Sequence, residues 1–543
     1  MENFLFFIYS YKVGDEIIKA ICFVMASGDS ETVVLLWENE IEKVKEKEKK
    51  TVKVEEIIEE HVGALGFAQA IHVFLVSLAW FFDSQHTLVT IFTDARPSFR
   101  CVGVQSQCSS SICEMDRRSW EWVGGKGASI ISEWDLVCHD SFKAGLPASI
   151  FFIGSFLGST VFGRLADSYL GRKRTLLLSC MLTAATGLLT AISPNFWIYA
   201  LLRFANGFSR SGIGMSCLVL STEVVGRKWR GQVGQYGFFF FTAGFLALPA
   251  MAYLTKSSWR DTYLLISIPP LVYSLAILPL ISESPRWLAV RGRTKEALEI
   301  LSNMAKLNGK TIPPEVVISG PDEKSQESGK SLWAVDWARR RMIVVMVVGF
   351  GIGFVYYGIQ LNVENLNFDL YLSVAVNALM EIPAVFLGSL LLSCMDRRLL
   401  VACACVLAGT ACMLCSVLGK KQGNWGQLIA ESVGFMAVST SFDVMYIYSV
   451  ELFPTNVRNL AVSMLRQALM TGASLAPVLV MLGRVNAALS FVVFGVVGIG
   501  SGFLTLRLSE TRNRPLYETL EQQEKEQNES LQLELQQSQF VIA

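Results

Sequence analysis

Residues 163–174 read GRLADSYLGRKR, a charged stretch that separates two long apolar runs. Residues 388–398, GSLLLSCMDRR, are similar, since they also begin with a glycine and have an Asp-Arg-Arg cluster at the end. The same kind of loop therefore occurs twice in the chain. This predicts two related halves.

Two other loop motifs repeat in register. Residues 223–230 (EVVGRKWR) and 451–458 (ELFPTNVR) keep the same Glu-to-Arg spacing at an offset of 228 residues. Residues 282–286 (SESPR) and 509–512 (SETR) are offset by 227 residues. Together the three motifs predict two six-helix halves joined by a linker, which is the parallel-repeat arrangement of alternating-access carriers.

The composition places most of the chain in a bilayer. Of 543 residues, 52% are hydrophobic and only 17% are charged, with 34 Phe and 12 Trp. A soluble protein needs more charge than this to cover its surface. Because Lys+Arg and Asp+Glu balance at 47 each, nothing suggests a nucleic-acid partner.

We predict an all-α membrane protein with twelve transmembrane helices, because an apolar run of about 20 residues spans a bilayer. The predicted spans are 63–83, 143–163, 175–193, 196–218, 233–254, 262–282, 341–359, 370–394, 399–418, 426–450, 460–482 and 487–507.

These spans divide the chain into regions. Arginines such as Arg172, Arg230 and Arg397 collect in loops on one side, and the positive-inside rule predicts that this side is cytosolic. The predicted regions are a cytosolic extension 1–60, expected to be disordered, a first half 61–283 with a large outer loop 84–142, a linker 284–340, a second half 341–508 and a cytosolic tail 509–543.

The large outer loop carries four cysteines. Four cysteines on an oxidising side suggest two disulfides, with three possible connectivities among Cys101, Cys108, Cys113 and Cys138. We expect no metal site and no cofactor, since the chain has four His and no paired Cys/His spacing. A Walker-type phosphate loop is also missing from the sequence.

Several motifs carry a family resemblance. GRLADSYLGRKR resembles a loop of the major facilitator superfamily, and EVVGRKWRG, SESPRWL and ELFPTNVRN resemble its organic ion transporter branch. Within that branch, WFFDSQHTLVTIFTDA and VVGFGIGFVYYG are most similar to the plant organic cation/carnitine transporters. The resemblance covers about residues 52–520 and implies a secondary transporter, not an enzyme.

The resemblance also implies what the carrier moves and where. The expected substrate is a small organic cation or zwitterion such as carnitine, moved by a proton gradient (symport) or by the membrane potential. The plasma membrane and the vacuolar membrane both fit, and one chain contains the whole pathway, so a monomer suffices. A carrier of another solute, such as an organic anion, nucleoside or sugar, remains an open alternative, and a membrane enzyme or receptor is a weaker one.

Acids inside spans are candidate substrate ligands, because ionisable residues at bilayer depth are rare and usually face a cavity. Asp83 at the end of the first span either binds an ammonium group, relays a proton, or touches water at a helix end. Glu381 resembles a family acid and either contacts substrate or pairs with an Arg. Asp443 has no nearby base in sequence. Any of these acids could hold a coupling proton.

Aromatic and basic residues complete the predicted site. Ring faces hold quaternary ammonium groups, and Tyr357, Tyr446 and Tyr448 match family positions. Tyr446 and Tyr448 cannot share one helical face, so one of them is expected to line the cavity. Arg466 lies one turn from Met470, where animal relatives carry a charge, and it either binds a substrate carboxylate or neutralises an acid.

The repeated loops predict a cytosolic gate. Acid–base pairs at helix ends can join the halves in one conformation and part in the other, and weak pairs suit this because the conformations must differ little in free energy. Plain topology anchoring explains the Arg but not the repeated Glu. The candidate pairs are Asp167 with Arg172, Glu223 with Arg230 and Glu451 with Arg458, and Asp396 and Arg397 of the repeated loop are further gating candidates.

Overall fold

A computed structural model describes residues 50–102, 112–318, 332–366, 368–419, 425–484, 486–512, 517 and 520–525. Twelve helices at the predicted spans form the bundle, and we number them in chain order. They are α1 (Phe67–Leu88), α2 (Leu146–Asp167), α3 (Arg172–Ala191), α4 (Phe196–Thr222), α5 (Arg230–Leu254), α6 (Trp259–Val272), α7 (Asp336–Leu361), α8 (Leu370–Cys394), α9 (Arg397–Leu418), α10 (Trp425–Leu452), α11 (Thr455–Gly483) and α12 (Ala487–Thr505).

Among the described residues, eleven helices are long and apolar enough to cross a membrane. They confirm the all-α membrane fold. The remaining long helix, α4, coincides with the predicted span 196–218 but carries Arg203, Arg210 and many small polar residues, so its crossing stays a prediction. The first span was placed too early, since its helical stretch runs from Phe67 to Thr93 and Asp83 does not end it.

Polar residues fix where several helices begin. The side chain of Asn195 accepts the backbone N–H of Ile198 at the start of α4, and Asp369 accepts that of Leu372 at the start of α8. Such caps satisfy backbone donors that have no partner within the helix. They set the length of each span where an apolar run alone would leave the start open.

Close helix packing within each half depends on glycine. Gly207 of α4 lies against the backbone of Phe151 in α2, and Gly472 of α11 lies against that of Phe350 in α7. A Cβ atom at either glycine would overlap a carbonyl group of the partner helix. Small residues allow this approach, which drives helix association in bilayers. Helices α2 and α11, and α5 and α8, then pack across the two halves.

The disulfide prediction is confirmed in part. Cys113 and Cys138 form a disulfide that encloses part of the large loop after α1. Cys101 is also disulfide-bonded, and Cys108 lies outside the described residues. Strands β2 (Phe99–Cys101) and β3 (Trp120–Trp122) pair antiparallel in the same loop. We call this end of the bundle the disulfide end.

The opposite end carries the repeated arginine loops, and we call it the basic end. Here strand β1 (Lys50–Val52) pairs in parallel with β4 (Val316–Ile318) of the linker. The helix Thr294–Leu307 packs against β4 and against the short helix Pro285–Val290, which in turn contacts the short helix Val54–Ile57. Residues 50–60, expected to be disordered, are therefore folded, because their apolar side chains bury against the linker. Residues 1–49 lie outside the described part.

Glu55 holds this folded segment to the first half. Its carboxylate lies 2.5 Å from Arg227, 2.9 Å from Arg230 and 3.0 Å from Arg286. None of the repeated loop motifs includes Glu55, so the repeats did not point to it. One acid thus connects the segment before α1 with the loop before α5 and with the linker.

We predict that Glu55→Ala lowers the melting temperature of the detergent-solubilised protein by about 2 °C or more, because three arginines lose their shared counter-charge. Glu60→Ala is the matched control, since Glu60 is 62% exposed and its nearest basic group is His61 at 4.0 Å. Equal melting temperatures for the two variants would show that the Glu55 cluster contributes nothing measurable.

Candidate functional site

Asp83 is not a free acid, because it forms an ion pair within the protein. Arg210 of α4 donates to it twice, from Nε to Oδ1 at 2.6 Å and from Nη2 to Oδ2 at 2.5 Å. The Asp83 side chain is fully buried, so the alternative of a water-exposed helix end is wrong. A paired charge can be tolerated at this depth, where an isolated one is costly. The pair ties α1 to α4.

Glu381 lies where the two halves meet. The Tyr356 hydroxyl donates to its Oε1 at 2.6 Å, and the Thr242 hydroxyl of α5 donates to Oε2 at 3.2 Å. For Glu381 the sequence left open a contact with substrate or a pairing with an Arg. No Arg pairs with it among the described residues. Glu381 is held by hydroxyl groups from both halves and remains a candidate substrate or proton ligand.

Aromatic rings surround this acid. The Tyr356 ring stacks on Phe435 and Phe442, with centroids 5.5 and 4.8 Å apart, and its edge meets Tyr357 at 5.0 Å. Tyr357 in turn contacts Phe152 of α2 at 4.7 Å, across the halves. Such a group of ring faces can accept a cation that has no hydrogen-bond donors.

The two tyrosines of α10 separate as helical spacing requires. Tyr446 is half-buried and its ring lies 5.5 Å from that of Phe442, beside the aromatic group. Tyr448 is fully buried, and its hydroxyl donates to the Ser509 carbonyl at the basic end at 2.7 Å. We therefore correct the assignment of Tyr448, which has a structural contact at the end of α12.

Asp443 and Arg466 are the unpaired charges of this region. Among the described residues, Asp443 of α10 has no hydrogen bond or ion pair, and it is half-buried. Arg466 of α11 is also half-buried and donates only to a neutral group, the Ser211 carbonyl of α4 at 3.3 Å. Both lie within electrostatic range of Tyr446. Met470 of α11 is buried.

At the basic end, the sequence repeat becomes a repeated set of contacts. Arg172 lies 3.0 Å from Asp167 and 3.6 Å from Glu223, and Arg397 lies 3.1 Å from Glu451. The Glu283 side chain accepts the backbone N–H groups of Arg172 and Lys173 at the start of α3. Each half thus fixes its own helix start with acids from the following loops.

Glu510 does the same in the second half, at the start of α9. It accepts the backbone N–H groups of Arg397 and Arg398 at 3.1 and 3.0 Å. Burial favours the neutral acid, but these donors, with those of Thr511 and Arg512, hold the pKa of Glu510 below its ordinary value. Burial raises the pKa of Glu223, against the Ser284 hydroxyl and Arg172.

Two predicted gate pairs do not form. Arg230 pairs with Glu55 rather than with Glu223, because Glu223 faces Arg172. Arg458 donates to the Phe453 carbonyl, and Glu451 faces Arg397 instead. Asp396, a further gating candidate, lies 3.6 Å from Arg512. All of these contacts stay within one half, so none bridges the halves in this conformation.

The halves meet at the disulfide end through a residue that the sequence analysis missed. Arg484, after α11, forms an ion pair with Glu364 and donates to the Asp94 carbonyl of the first half at 2.9 Å. Asp94 is buried, and its carboxylate accepts the Tyr199 hydroxyl at 2.6 Å. This contact joins α11 to the loop after α1.

Other buried charges were missed as well. Arg203 of α4 is fully buried, donates to the His86 carbonyl at 3.2 Å and lies over the Phe151 ring. Glu431 of α10 is buried and accepts the Asn377 amide at 2.7 Å. The signal that singled out the span acids, an ionisable residue at bilayer depth, also marks these residues and Arg210.

A bundle of two repeated halves, with a charged and aromatic site at their interface, defines a multi-pass membrane carrier rather than an enzyme. The chain belongs to the sugar (and other) transporter family, which matches residues 103–522, and thereby to the major facilitator superfamily. Its relatives place it in the organic ion transporter branch, which confirms the resemblance drawn from the loop motifs.

Three relatives illustrate this placement. Organic cation/carnitine transporter 3 of Arabidopsis thaliana is 44% identical over 487 residues, covering 87% of this chain and 93% of the relative. Organic cation/carnitine transporter 2 of the same plant is 42% identical, covering 87% and 94%. Solute carrier family 22 member 3 of Rattus norvegicus is 32% identical, covering 75% and 73%.

A solved structure supports the fold. The inward open xylose transporter of E. coli superposes with a TM-score of 0.59, covering 84% of this chain and 98% of that one at 14% identity. At this identity the likeness concerns the helix arrangement alone.

The buried Asp83–Arg210 pair yields a double-mutant test. We predict that Asp83→Asn and Arg210→Gln each destabilise the protein by about 3 kcal/mol, because each leaves a buried charge without its partner. The double variant should lose less than the sum, by about 1–3 kcal/mol. The measurement is denaturant unfolding in micelles. Additive losses would mean that the two side chains do not interact.

Asp94 yields a pH test. Burial raises the pKa of its carboxyl from 3.8 to about 6, against the Tyr199 hydroxyl and other groups that lower it. Between about pH 4 and pH 6 the folded state then binds more protons than the unfolded state, so stability falls as pH rises and levels off above about pH 6. The total fall attributable to Asp94 is about 3 kcal/mol.

Asp94→Asn should remove this slope, as measured by melting temperature at about pH 4.5 and about pH 7. Asp261→Asn is the matched control, since Asp261 is an exposed acid in the first turn of α6 at the same end. A slope unchanged in Asp94→Asn would assign the pH dependence to other groups.

Proposed function

We propose that this protein moves organic cations or zwitterions such as carnitine across a membrane by alternating access. The names of the plant relatives support the substrate class. The observation that carries the proposal is the pair Asp443 and Arg466, one acid and one base without an oppositely charged partner among the described residues. Both lie inside the bundle, where a bound ligand can reach them.

The site suits a molecule with an ammonium group at one end and a carboxylate at the other. Asp443 would face the ammonium group, whose remaining surface packs on the rings of Tyr357, Tyr446 and their neighbours. Arg466 would bind the carboxylate through its planar donors. A simple cation would use the acid and the rings but not Arg466. The arrangement therefore favours a zwitterion while permitting a cation.

Glu381 is our candidate for the coupling proton. It is held by hydroxyl groups of both halves, Tyr356 and Thr242, and a proton on its carboxyl would remove a charge from their interface. Asp83 is a second proton candidate, because protonation would release Arg210 from the carboxylate to which it donates two hydrogen bonds. An acid-driven symport follows from either residue.

The proposed gate depends first on contacts at the basic end. Arg172 with Asp167 and Glu223, and Arg397 with Glu451, would keep each half rigid while the halves rock against each other. Three more residues remain gate candidates through contacts at this end: Arg230 with Glu55, Asp396 with Arg512 and Arg458 with the Phe453 carbonyl. At the disulfide end, Arg484 would close the pathway through Glu364 and the Asp94 carbonyl. One chain suffices, in the plasma membrane or the vacuolar membrane.

The test is uptake of radiolabelled carnitine and tetraethylammonium in oocytes at about pH 5.5 and about pH 7.5, because a proton-coupled carrier responds to the pH outside the cell. We expect uptake of both to rise at acid pH. Asp443→Asn should reduce both by about tenfold or more, because the ammonium group loses its counter-charge.

Arg466→Gln should reduce carnitine uptake by about tenfold and leave tetraethylammonium within about twofold, because only carnitine carries a carboxylate. Arg466→Lys is the conservative control and should retain part of the carnitine uptake. Surface-expressed wild-type protein that moves neither compound would reject the proposed substrates in favour of another solute. Equal losses of both compounds in Arg466→Gln would assign Arg466 a structural role.

A further inference from the structure

A pocket at the basic end of the second half is not part of the transport pathway described above. It has a volume of about 980 Å³ and lies among the first turns of α7 and α9 and the end of α12. Four arginines line it: Arg340, Arg341, Arg398 and Arg507. The acids in its wall are Asp336 and Glu524, so positive charge predominates.

Most of this positive charge has no acidic partner in the described part of the chain. Among the described residues, the side chains of Arg340, Arg398 and Arg507 have no acid within ion-pair distance. Arg341 is engaged, since it donates to the Leu452 carbonyl at 3.2 Å and lies over the Trp337 ring. Asp336, in the pocket wall, forms an ion pair with Arg339 at 2.8 Å.

The first half shows that the fold does not require such a pocket. Lys173 occupies the place of Arg398, directly after the repeated arginine, and its ammonium group donates to the Pro279 carbonyl at 2.9 Å. Above the start of α1, Asn308 of the linker binds Gln69 and the Ala68 N–H. The linker thus covers the start of α1 in the first half. At the equivalent end of the second half, Glu524 of the tail lines the pocket but forms no ion pair with its arginines among the described residues.

Apolar side chains lead from the pocket to the lipid-facing surface. Leu399, beside Arg398, is 46% exposed, and Leu506, beside Arg507, is 43% exposed. Phe503, one turn before Arg507 on α12, is 64% exposed. A charged pocket bordered by exposed apolar side chains matches a molecule with an anionic head and hydrocarbon tails. A free phosphate ion would use the arginines but not this border.

We propose that this pocket binds the phosphate headgroup of an anionic phospholipid. Arg340, Arg398 and Arg507 would contact the phosphate, since guanidinium groups donate to its oxygens in pairs. The acyl chains would lie along Leu399, Phe503 and Leu506. With the basic end cytosolic, as the positive-inside rule predicts, the lipid comes from the anionic cytoplasmic leaflet.

The test is a titration of the full-length protein in micelles with phosphatidic acid and with phosphatidylcholine, followed by native mass spectrometry. The variant is the triple Arg340→Ala/Arg398→Ala/Arg507→Ala. The matched control is Arg293→Ala/Lys295→Ala/Lys306→Ala, which removes the same charge from exposed positions at the same end, outside the pocket lining. Glycerol phosphate and inorganic phosphate serve as soluble competitors.

We expect wild-type protein to bind phosphatidic acid at least about tenfold more tightly than phosphatidylcholine, since one lipid carries net charge. Each arginine near the headgroup contributes about fivefold, so the triple variant should lose about 100-fold and the control less than about threefold. Arg507→Ala alone, at an exposed position, should lose about fivefold and serves if the triple variant misfolds.

Three results would overturn the proposal. Equal losses in the two triple variants would indicate a general effect of surface charge. Equal affinity for the two lipids would exclude recognition of the headgroup charge. Displacement of phosphatidic acid by glycerol phosphate or inorganic phosphate at equal concentration would make the ligand a soluble phosphate, for which the apolar border has no role.

Discussion

A charge inside a bilayer needs a counter-charge or hydrogen-bond partners, and this constraint organises the core of the protein. Asp83 and Arg210 satisfy each other with two parallel hydrogen bonds, and so they join α1 to α4 at a depth where either alone would be costly. Glu381 receives two hydroxyl donors. Against this background, Asp443 and Arg466 differ, because neither has an oppositely charged partner among the described residues.

The repeated loops show the same constraint at the membrane edge. Glu283 and Glu510 accept the first backbone N–H groups of α3 and α9, where the helix carries partial positive charge. Arg172 and Arg397 then bind acids at the ends of α4 and α10. These contacts make each half rigid without joining it to the other. Two rigid halves with few polar contacts between them can rock at low cost in free energy.

Features that depend on neighbouring residues in the chain could be predicted from the sequence, whereas contacts between distant residues could not. Spans, halves and helix ends depend on composition and on loop motifs, and both can be read locally. Pairings such as Asp83 with Arg210 join residues far apart in the chain, so the sequence offered the acid without its partner. The predicted pairing of Glu223 with Arg230 was wrong. A spacing of seven residues in a loop does not determine which neighbouring helix each side chain faces. Glu55 was hidden in a charged run that resembles a disordered segment.

The two halves differ most where the repeat is broken. In the first half, protein segments cover the basic end: Glu55 neutralises Arg227, Arg230 and Arg286, and Asn308 closes the start of α1. In the second half, part of the tail lies at the basic end, where Gln523 donates to the Leu452 carbonyl and Glu524 lines the pocket. Among the described residues, Arg340, Arg398 and Arg507 nevertheless have no ion-pair partner, and the proposed lipid would supply their counter-charge. A duplicated fold can thus fix one half by protein contacts and leave the other half sensitive to the lipid around it.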